Sequence, residues 1–105
     1  MNSFDSQNLA TMLADAMPGQ RKRLLVRYLQ EVTATTIGLD HLPSIDAGLF
    51  DLGLDSLKAL ELKAQLEEAV GLSLVATIAL DQPTLRALAE YLLSEMQSHR
   101  RLESK

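Results

Sequence analysis

The stretch "GLFDLGLDSLKALEL", residues 48–62, decides the fold, because an apolar loop turns there into a helix with a serine at its start. Either Asp55 or Ser56 can cap that helix by accepting a hydrogen bond from a free backbone amide, worth about 1 kcal/mol. Neither belongs to a capping box, since Lys58 and Ala59 stand three residues on in place of Glu or Gln. Capping by Asp55 alone suffices, and it leaves Ser56 available for another role.

The predicted helix after this point, Ser56 to Val70, has apolar residues on two sides. At 100° per residue, one sector faces a core, and a second, almost opposite, is bordered by acidic residues. A helix of a small bundle needs one apolar face, so the second stripe is either scattered surface leucine or a surface for a partner. Its position one turn from Ser56 favours the partner. The core sector holds Ala59, Leu62, Leu66, Ala69 and Val70, and the second holds Leu57, Leu60 and Ala64, beside Glu61, Glu67 and Glu68.

Helical spacing dominates elsewhere too, and no alternating run bounded by hairpin turns predicts a strand. The spacing predicts a short helix around residues 7–17, a long helix over residues 20–37, and a last helix that begins near Thr84. Gly38 and Gly71 suit the C-terminal caps of the two helices that precede them. The core-facing residues are Leu24, Leu25, Tyr28, Leu29, Val32 and Thr36 in the long helix, and Leu85, Leu88, Ala89, Leu92, Leu93 and Met96 in the last.

Two connections join these helices. Residues 38–55 exceed the usual length of an unstructured loop, and their apolar side chains predict an ordered loop with one helical turn near residues 46–50. Residues 72–83 are predicted to hold a single short turn of helix. The expected fold is therefore all-α, a small four-helix bundle of three long helices and one short helix, with a short extra helix at the N-terminus.

Length, net charge and hydropathy limit the domain number, the partners and the location that the sequence allows. The 105 residues predict one domain over residues 20–97, between an N-terminal helix or linker at residues 1–19 and a basic tail at 98–105. A net charge of −4 disfavours nucleic acid as a partner, while the acidic residues around Ser56 favour a basic protein. No apolar run approaches the roughly 20 residues of a membrane span, and the start lacks a signal peptide, so we expect no membrane contact and a cytoplasmic location.

Catalytic, phosphate-binding and metal-binding roles are disfavoured for this region. A nucleophilic serine needs a base, and the two histidines, His41 and His99, lie in a loop and in the tail. Gly48 and Gly53 have the spacing of a P-loop but lack its Lys and Ser or Thr. Isolated histidines and surface acids make no metal site, and the chain has no cysteine. What remains is a serine that another enzyme modifies.

The residues around Ser56 resemble a known family. "LFDLGLDSLKALEL", residues 49–62, is similar to the phosphopantetheine attachment motif of acyl carrier protein domains, with its Asp-Ser-Leu core at Asp55, Ser56 and Leu57. Residues 76–92, "ATIALDQPTLRALAEYL", resemble a second segment of the carrier domains in modular type I polyketide synthases. Their first long helix is similar to "RLLVRYLQEVTATTIG", residues 23–38, so the likeness extends from Leu24 to Leu93.

The resemblance implies a non-catalytic carrier with the helical bundle of the acyl carrier type. It implies that Ser56 holds a 4'-phosphopantetheine arm from coenzyme A, with Asp55 and Leu57 beside it, and that a phosphopantetheinyl transferase attaches the arm. Acyl thioester intermediates of polyketide biosynthesis would then move between ketosynthase, acyltransferase and other synthase domains. The resemblance assigns the docking of these partners to Leu57, Leu60, Glu61, Ala64 and Glu68.

Two alternatives stay open at this point. One is a helical adaptor that binds a protein through the second stripe and carries no prosthetic group. The other is a peptidyl or other specialised carrier. Leu54 before the Asp-Ser pair disfavours a peptidyl carrier, and Lys58 and Lys63 favour a polyketide context over a fatty-acid one, because they dilute the acidity of the helix.

Overall fold

The computed structural model shows a helical bundle, which confirms the predicted fold class. It describes residues 12–13 and 16–103, with Pro18 and residues 99–103 described by their backbone alone. Within these residues the only β-structure is an isolated bridge between Gly48 and Thr84. The helices are α1, Pro18–Ile37; α2, Ser56–Val70; α3, Ile78–Asp81; and α4, Leu85–Glu103.

The ends of α1 show how local chemistry sets its limits. The helix begins at Pro18, two residues before the predicted start, because proline is favoured at the first helical position, where the backbone N–H is not needed. The Met17 N–H donates to the Gln20 side chain at 3.3 Å and closes this end. At the other end Gly38 has φ 93°, a left-handed conformation that glycine adopts without strain, and it ends the helix as predicted.

The loop from residue 38 to 55 is ordered as predicted, and its turn lies slightly later than the predicted residues 46–50. Hydrogen-bonded turns occupy residues 48–54, without a longer helix. The Leu52 N–H donates to the Gly48 carbonyl at 3.1 Å, and the Leu54 N–H donates to the Leu49 carbonyl at 3.2 Å. Leu49 is fully buried, so the apolar side chain fixes the loop to the core while its backbone turns towards α2.

The core lies where α1 packs against α2 and α4, and α3 closes it beside α2. The predicted stripes of α2 and α4 supply its centre, and their leucines are almost completely removed from water except Leu93, which is partly buried. Burying a leucine contributes about 1.5–3 kcal/mol, so these positions account for much of the stability. The most buried members are Leu25, Leu29, Leu49, Leu62, Leu66, Leu85, Leu88 and Leu92.

The two ends of the chain were predicted separately from the bundle. The predicted helix at residues 7–17 lies largely outside the described residues, although Leu13 is described and belongs to the core. The backbone of α4 continues to Glu103, so the segment predicted as a tail from residue 98 is helical up to that residue. None of the helices within residues 12–13 and 16–103 has the length and apolar character needed to span a bilayer.

Candidate functional site

Ser56 is the first residue of α2, and its side chain is exposed. Asp55 is the N-cap: its Oδ1 accepts a hydrogen bond from the Lys58 N–H at 2.8 Å. The Ser56 hydroxyl makes no hydrogen bond to any of the described residues. Because Asp55 caps the helix through the Lys58 amide, the serine hydroxyl is not used as the cap and stays exposed to solvent.

The turn before Ser56 is fixed to the core by buried leucines. Leu49 and Leu54 are buried on either side of the turn, and the hydrogen bond between their backbones closes it. Gly53 between them has φ 116°, and a Cβ at this position would lie 3.2 Å from Ile37 Cγ2 at the end of α1. A larger residue would therefore be strained both in conformation and in contact. The serine is thus presented by a constrained loop.

The outward face of α2 carries the second stripe predicted from the helical wheel. The side chain of Leu57 is 67% exposed and that of Leu60 is 51% exposed. Glu61, Ala64 and Glu68 are also exposed on this helix. The structure thus places all the residues assigned to docking on one solvent-facing surface next to Ser56, which we call the outer face of α2, residues Leu57, Leu60, Glu61, Ala64 and Glu68.

Charged and polar contacts that the helical periodicity does not predict lie along the two borders of this face. On one border, Glu67 accepts a hydrogen bond from the Leu74 N–H at 2.7 Å and one from Lys63 Nζ at 3.2 Å. The Leu74 backbone, and then Lys63, lower the pKa of the Glu67 carboxyl below its usual value. On the other border, Gln65 Nε2 donates to Thr36 Oγ1 at 3.1 Å. These contacts fix α2 to the following loop and to α1.

Neither a histidine nor a metal-binding cluster contacts Ser56 among the described residues. His41 lies next to Asp40, its Nδ1 at 2.8 Å from the carboxylate, and this contact lowers the pKa of Asp40. The contact is exposed and does not involve the serine, so His41 is not placed to act as a base for Ser56. Within those residues no group of three or more His, Cys, Asp or Glu side chains is placed to hold a metal ion. The arrangement offers a free hydroxyl beside the exposed outer face of α2.

The comparisons with known proteins agree with this geometry. The family model "Phosphopantetheine attachment site" matches residues 27–92, more than half of the chain. The chain is 38% identical over 90 residues to the PKS-NRPS hybrid synthetase acdB of Aspergillus candidus and 36% identical over 94 residues to the pikromycin polyketide synthase component PikAII of Streptomyces venezuelae. These alignments cover 84% and 88% of this chain but only 4% and 2% of the relatives.

Solved structures of carrier proteins share the fold. The A1-type ACP domain from module 5 of MLSA1 superposes with a TM-score of 0.68 at 35% identity, covering 82% of this chain and 88% of that one. A free-standing peptidyl carrier protein from Acinetobacter baumannii superposes with a TM-score of 0.67 at 33% identity, covering 71% and 95%. Members of the matched family bind 4'-phosphopantetheine covalently and act as carriers rather than catalysts. The chain therefore belongs to the phosphopantetheine-binding family of carrier proteins.

Proposed function

We propose that this domain is an acyl carrier of polyketide biosynthesis and that Ser56 is the residue that holds the phosphopantetheine arm. The proposal rests on the different roles of two neighbouring residues, Asp55 and Ser56, at the start of α2. Asp55 caps the helix at 2.8 Å, and the exposed Ser56 hydroxyl is left without a partner among the described residues. A serine whose only role was to cap the helix would accept a hydrogen bond from a backbone N–H of the first turn.

The residues at this position fit a phosphodiester. The first two amides of α2, those of Ser56 and Leu57, donate to no described acceptor, and they lie at the positive end of the helix dipole. An oxygen of a phosphate attached to Ser56 is favoured there. Asp51 and Asp55 disfavour a free anion at the same place, so the group has to be held by a covalent bond.

The transfer of the arm to Ser56 is a nucleophilic substitution at phosphorus. The Ser56 oxygen bonds to the phosphorus that carries pantetheine in coenzyme A, the bond from that phosphorus to the nucleotide phosphate breaks, and the hydroxyl proton passes to a base of the transferase. When bound, the group supplies a terminal thiol on which acyl chains are held as thioesters. This chain contributes the hydroxyl, its presentation by the constrained loop, and the exclusion of competing contacts by the Asp55 cap.

The outer face of α2 is the proposed docking surface. Leu57 and Leu60 offer apolar contact, while Glu61 and Glu68 offer negative charge that attracts Lys and Arg of a partner. The partners proposed are a phosphopantetheinyl transferase and the ketosynthase, acyltransferase and other domains of a synthase. Polyketide synthases among the relatives support this context, and a cytoplasmic location is proposed with it.

Ser56→Ala tests the attachment site. The purified chain is incubated with coenzyme A and a broad-specificity phosphopantetheinyl transferase, and the intact mass is measured. We expect the wild type to gain one phosphopantetheine and Ser56→Ala to gain none. Ser73→Ala, which removes an exposed serine after α2, serves as the matched control and should be modified like the wild type. A wild type that stays unmodified while a known carrier is modified contradicts the proposal.

The exposed leucines also favour one other hypothesis, an adaptor that binds a protein without a prosthetic group. That hypothesis predicts that Ser56→Ala leaves function intact, whereas the carrier hypothesis predicts complete loss. A peptidyl carrier would share the modification of Ser56 with an acyl carrier. Loading the modified chain with acyl- and aminoacyl-activating partners, and comparing the thioesters formed by mass, separates the two kinds of carrier.

A further inference from the structure

The loop that leads to Ser56 is attached to the start of α4 by contacts that do not involve α2. The Leu49 N–H donates to the Pro83 carbonyl at 2.8 Å, and the Arg86 N–H donates to the Ile45 carbonyl at 2.9 Å. The side chain of Arg86 also forms a fork with the Asp46 carboxylate, Nε to Oδ1 at 2.6 Å and an Nη to Oδ2 at 3.1 Å. We call these contacts the loop clip.

The loop clip completes the N-terminus of α4 with groups from elsewhere in the chain. Thr84 Oγ1 accepts from the Ala87 N–H at 3.1 Å and satisfies one free amide of the first turn. The Ile45 carbonyl satisfies another, that of Arg86. The Asp46 carboxylate lies at the positive end of the α4 dipole and binds the guanidinium by two hydrogen bonds, a geometry that fixes direction as well as distance. The Arg86 contact lowers the pKa of Asp46, so the carboxylate is charged at neutral pH.

A continuous set of contacts runs from the clip to the serine. Asp46 stands two residues before Gly48, whose carbonyl accepts from Leu52, and Leu49 accepts from Leu54. Leu54 is followed at once by the Asp55 cap and by Ser56. The exposed residues of this turn include Phe50, 41% exposed, and Asp51. The orientation of the turn therefore depends on where the clip holds its first residues.

We infer that Arg86, acting through Asp46, is a positioning residue that fixes the Phe50–Asp55 turn in the arrangement a transferase binds. Arg86 does not contact Ser56. The inference rests on the proposed function and extends it by assigning a role to a residue 30 positions from the serine in sequence. Because the side chains of Arg86 and Asp46 are 48% and 66% exposed, the ion pair adds little to global stability, and its effect on recognition can be measured in a folded protein.

The sign of the effect separates positioning from charge. Arg86→Ala makes the chain more negative than its present −4, and charge alone would then strengthen binding to a basic partner. Asp46→Asn changes the charge in the opposite direction. Positioning predicts that both substitutions weaken binding, because each breaks the same fork. It also predicts that the double variant binds no more weakly than the single variant with the larger effect, since the two residues act as one unit.

The experiment measures initial rates of phosphopantetheine transfer to the full chain as a function of carrier concentration, with coenzyme A saturating. We expect Arg86→Ala and Asp46→Asn each to raise KM about 5–10-fold with kcat within about twofold of the wild type. Arg86→Lys keeps the charge but loses the fork, and should raise KM by less. Arg27→Ala, which removes an exposed arginine from the Arg27–Glu31 pair on α1, is the matched control and should leave KM unchanged.

Three results would overturn the inference. These are a KM for Arg86→Ala equal to that of the wild type, opposite changes in the two single variants, or an equal rise in the Arg27→Ala control. If Arg86→Ala does not fold, amide hydrogen exchange of Arg86→Lys decides: faster exchange at Leu52, Gly53 and Leu54, with α1 unchanged, supports positioning, and unchanged exchange rejects it. A wild type that the transferase does not modify would instead count against the proposed function.

Discussion

The inner and outer sides of α2 carry the same residue type in opposite surroundings. Leu62 and Leu66 on the inner side are 2% and 0% exposed, whereas Leu57 and Leu60 on the outer side are 67% and 51% exposed. The inner leucines gain the full hydrophobic contribution of burial, and the outer ones gain little of it. One helix therefore contains leucines that stabilise the fold and leucines that stability does not explain.

Composition alone does not assign a role to a leucine. A single exposed leucine needs no explanation, but two of them one turn apart, bordered by exposed Glu61 and Glu68 and adjacent to Ser56, form a surface of defined chemistry. The inner side stabilises the fold, and the outer side is the proposed docking surface.

The largest expected effect is on the inner side. Leu66→Ala leaves a cavity where the side chain is fully buried, and we expect it to lower the free energy of unfolding by about 2–5 kcal/mol. Leu60→Ala, the same substitution on the outer side, should cost less than about 1 kcal/mol. Denaturant unfolding of both variants measures the difference. Equal losses would show that the two sides are not distinct in energy.

The next largest effect is expected on the outer side of α2, where a substitution should change partner binding and not stability. Leu60→Asp places a charge in the proposed docking surface, and we expect the KM of phosphopantetheine transfer to rise about tenfold, or about 1.4 kcal/mol, while the fold is kept. Met17→Asp is the matched control, because Met17 is 71% exposed at the start of α1 and outside the outer face of α2. If the control raises KM as much as Leu60→Asp, the effect comes from charge and the docking surface is misplaced.

The elements and the two sides of α2 were predictable because they depend on local periodicity. The limits of α2 at Ser56 and Val70, the caps at Gly38 and Gly71, and the short helix after residue 72 follow from spacing and from glycine. The predicted start of α1 at residue 20 is two residues late, because Pro18 occupies the first helical position, where proline favours the beginning of a helix.

The contacts that were not predictable join residues far apart in sequence. Arg86 and Asp46 are 40 residues apart, and each alone is an ordinary surface charge. The buried Thr33 was also missed, because a threonine beside a leucine stripe gives no sign that it faces inward. Its Oγ1 has no hydrogen-bond partner among the described residues. Such features depend on how the helices pack, which periodicity does not specify.

A smaller effect is expected at the start of α2, where cap and attachment site meet. Asp55→Ala removes the acceptor for the Lys58 amide and should cost about 1 kcal/mol of stability. Asp55→Asn keeps a good cap, so its stability should match the wild type, while its KM for transfer should rise if the transferase reads the carboxylate. Thermal unfolding and transfer rates of the same samples separate the two roles. A loss of stability in Asp55→Asn comparable to that in Asp55→Ala would mean that the charge, not the hydrogen bond, stabilises this terminus.

The smallest effect is expected at the border of the two sides, where Glu67 joins α2 to the loop before α3. Because the folded protein holds the pKa of Glu67 below its ordinary value, the charged carboxylate stabilises the fold above that value, and the stabilisation is lost as the pH falls through the lowered pKa. Glu67→Gln keeps an acceptor for Leu74 but not the charge. We expect it to lower the Tm at pH 7 and to approach the wild type as the pH falls below the ordinary pKa of a glutamate and through the lowered pKa of Glu67.

Glu68→Gln is the matched control for this prediction, since Glu68 is exposed one position along and belongs to the outer face of α2. It removes the same charge from the same turn, so any general effect of net charge or of the helix dipole appears in both variants. A Tm difference that depends on pH only in Glu67→Gln assigns the stabilisation to the contact with Leu74 and Lys63. The same pH dependence in both variants would instead make the border an ordinary charged surface, and the inner and outer sides of α2 would then be separated by packing alone.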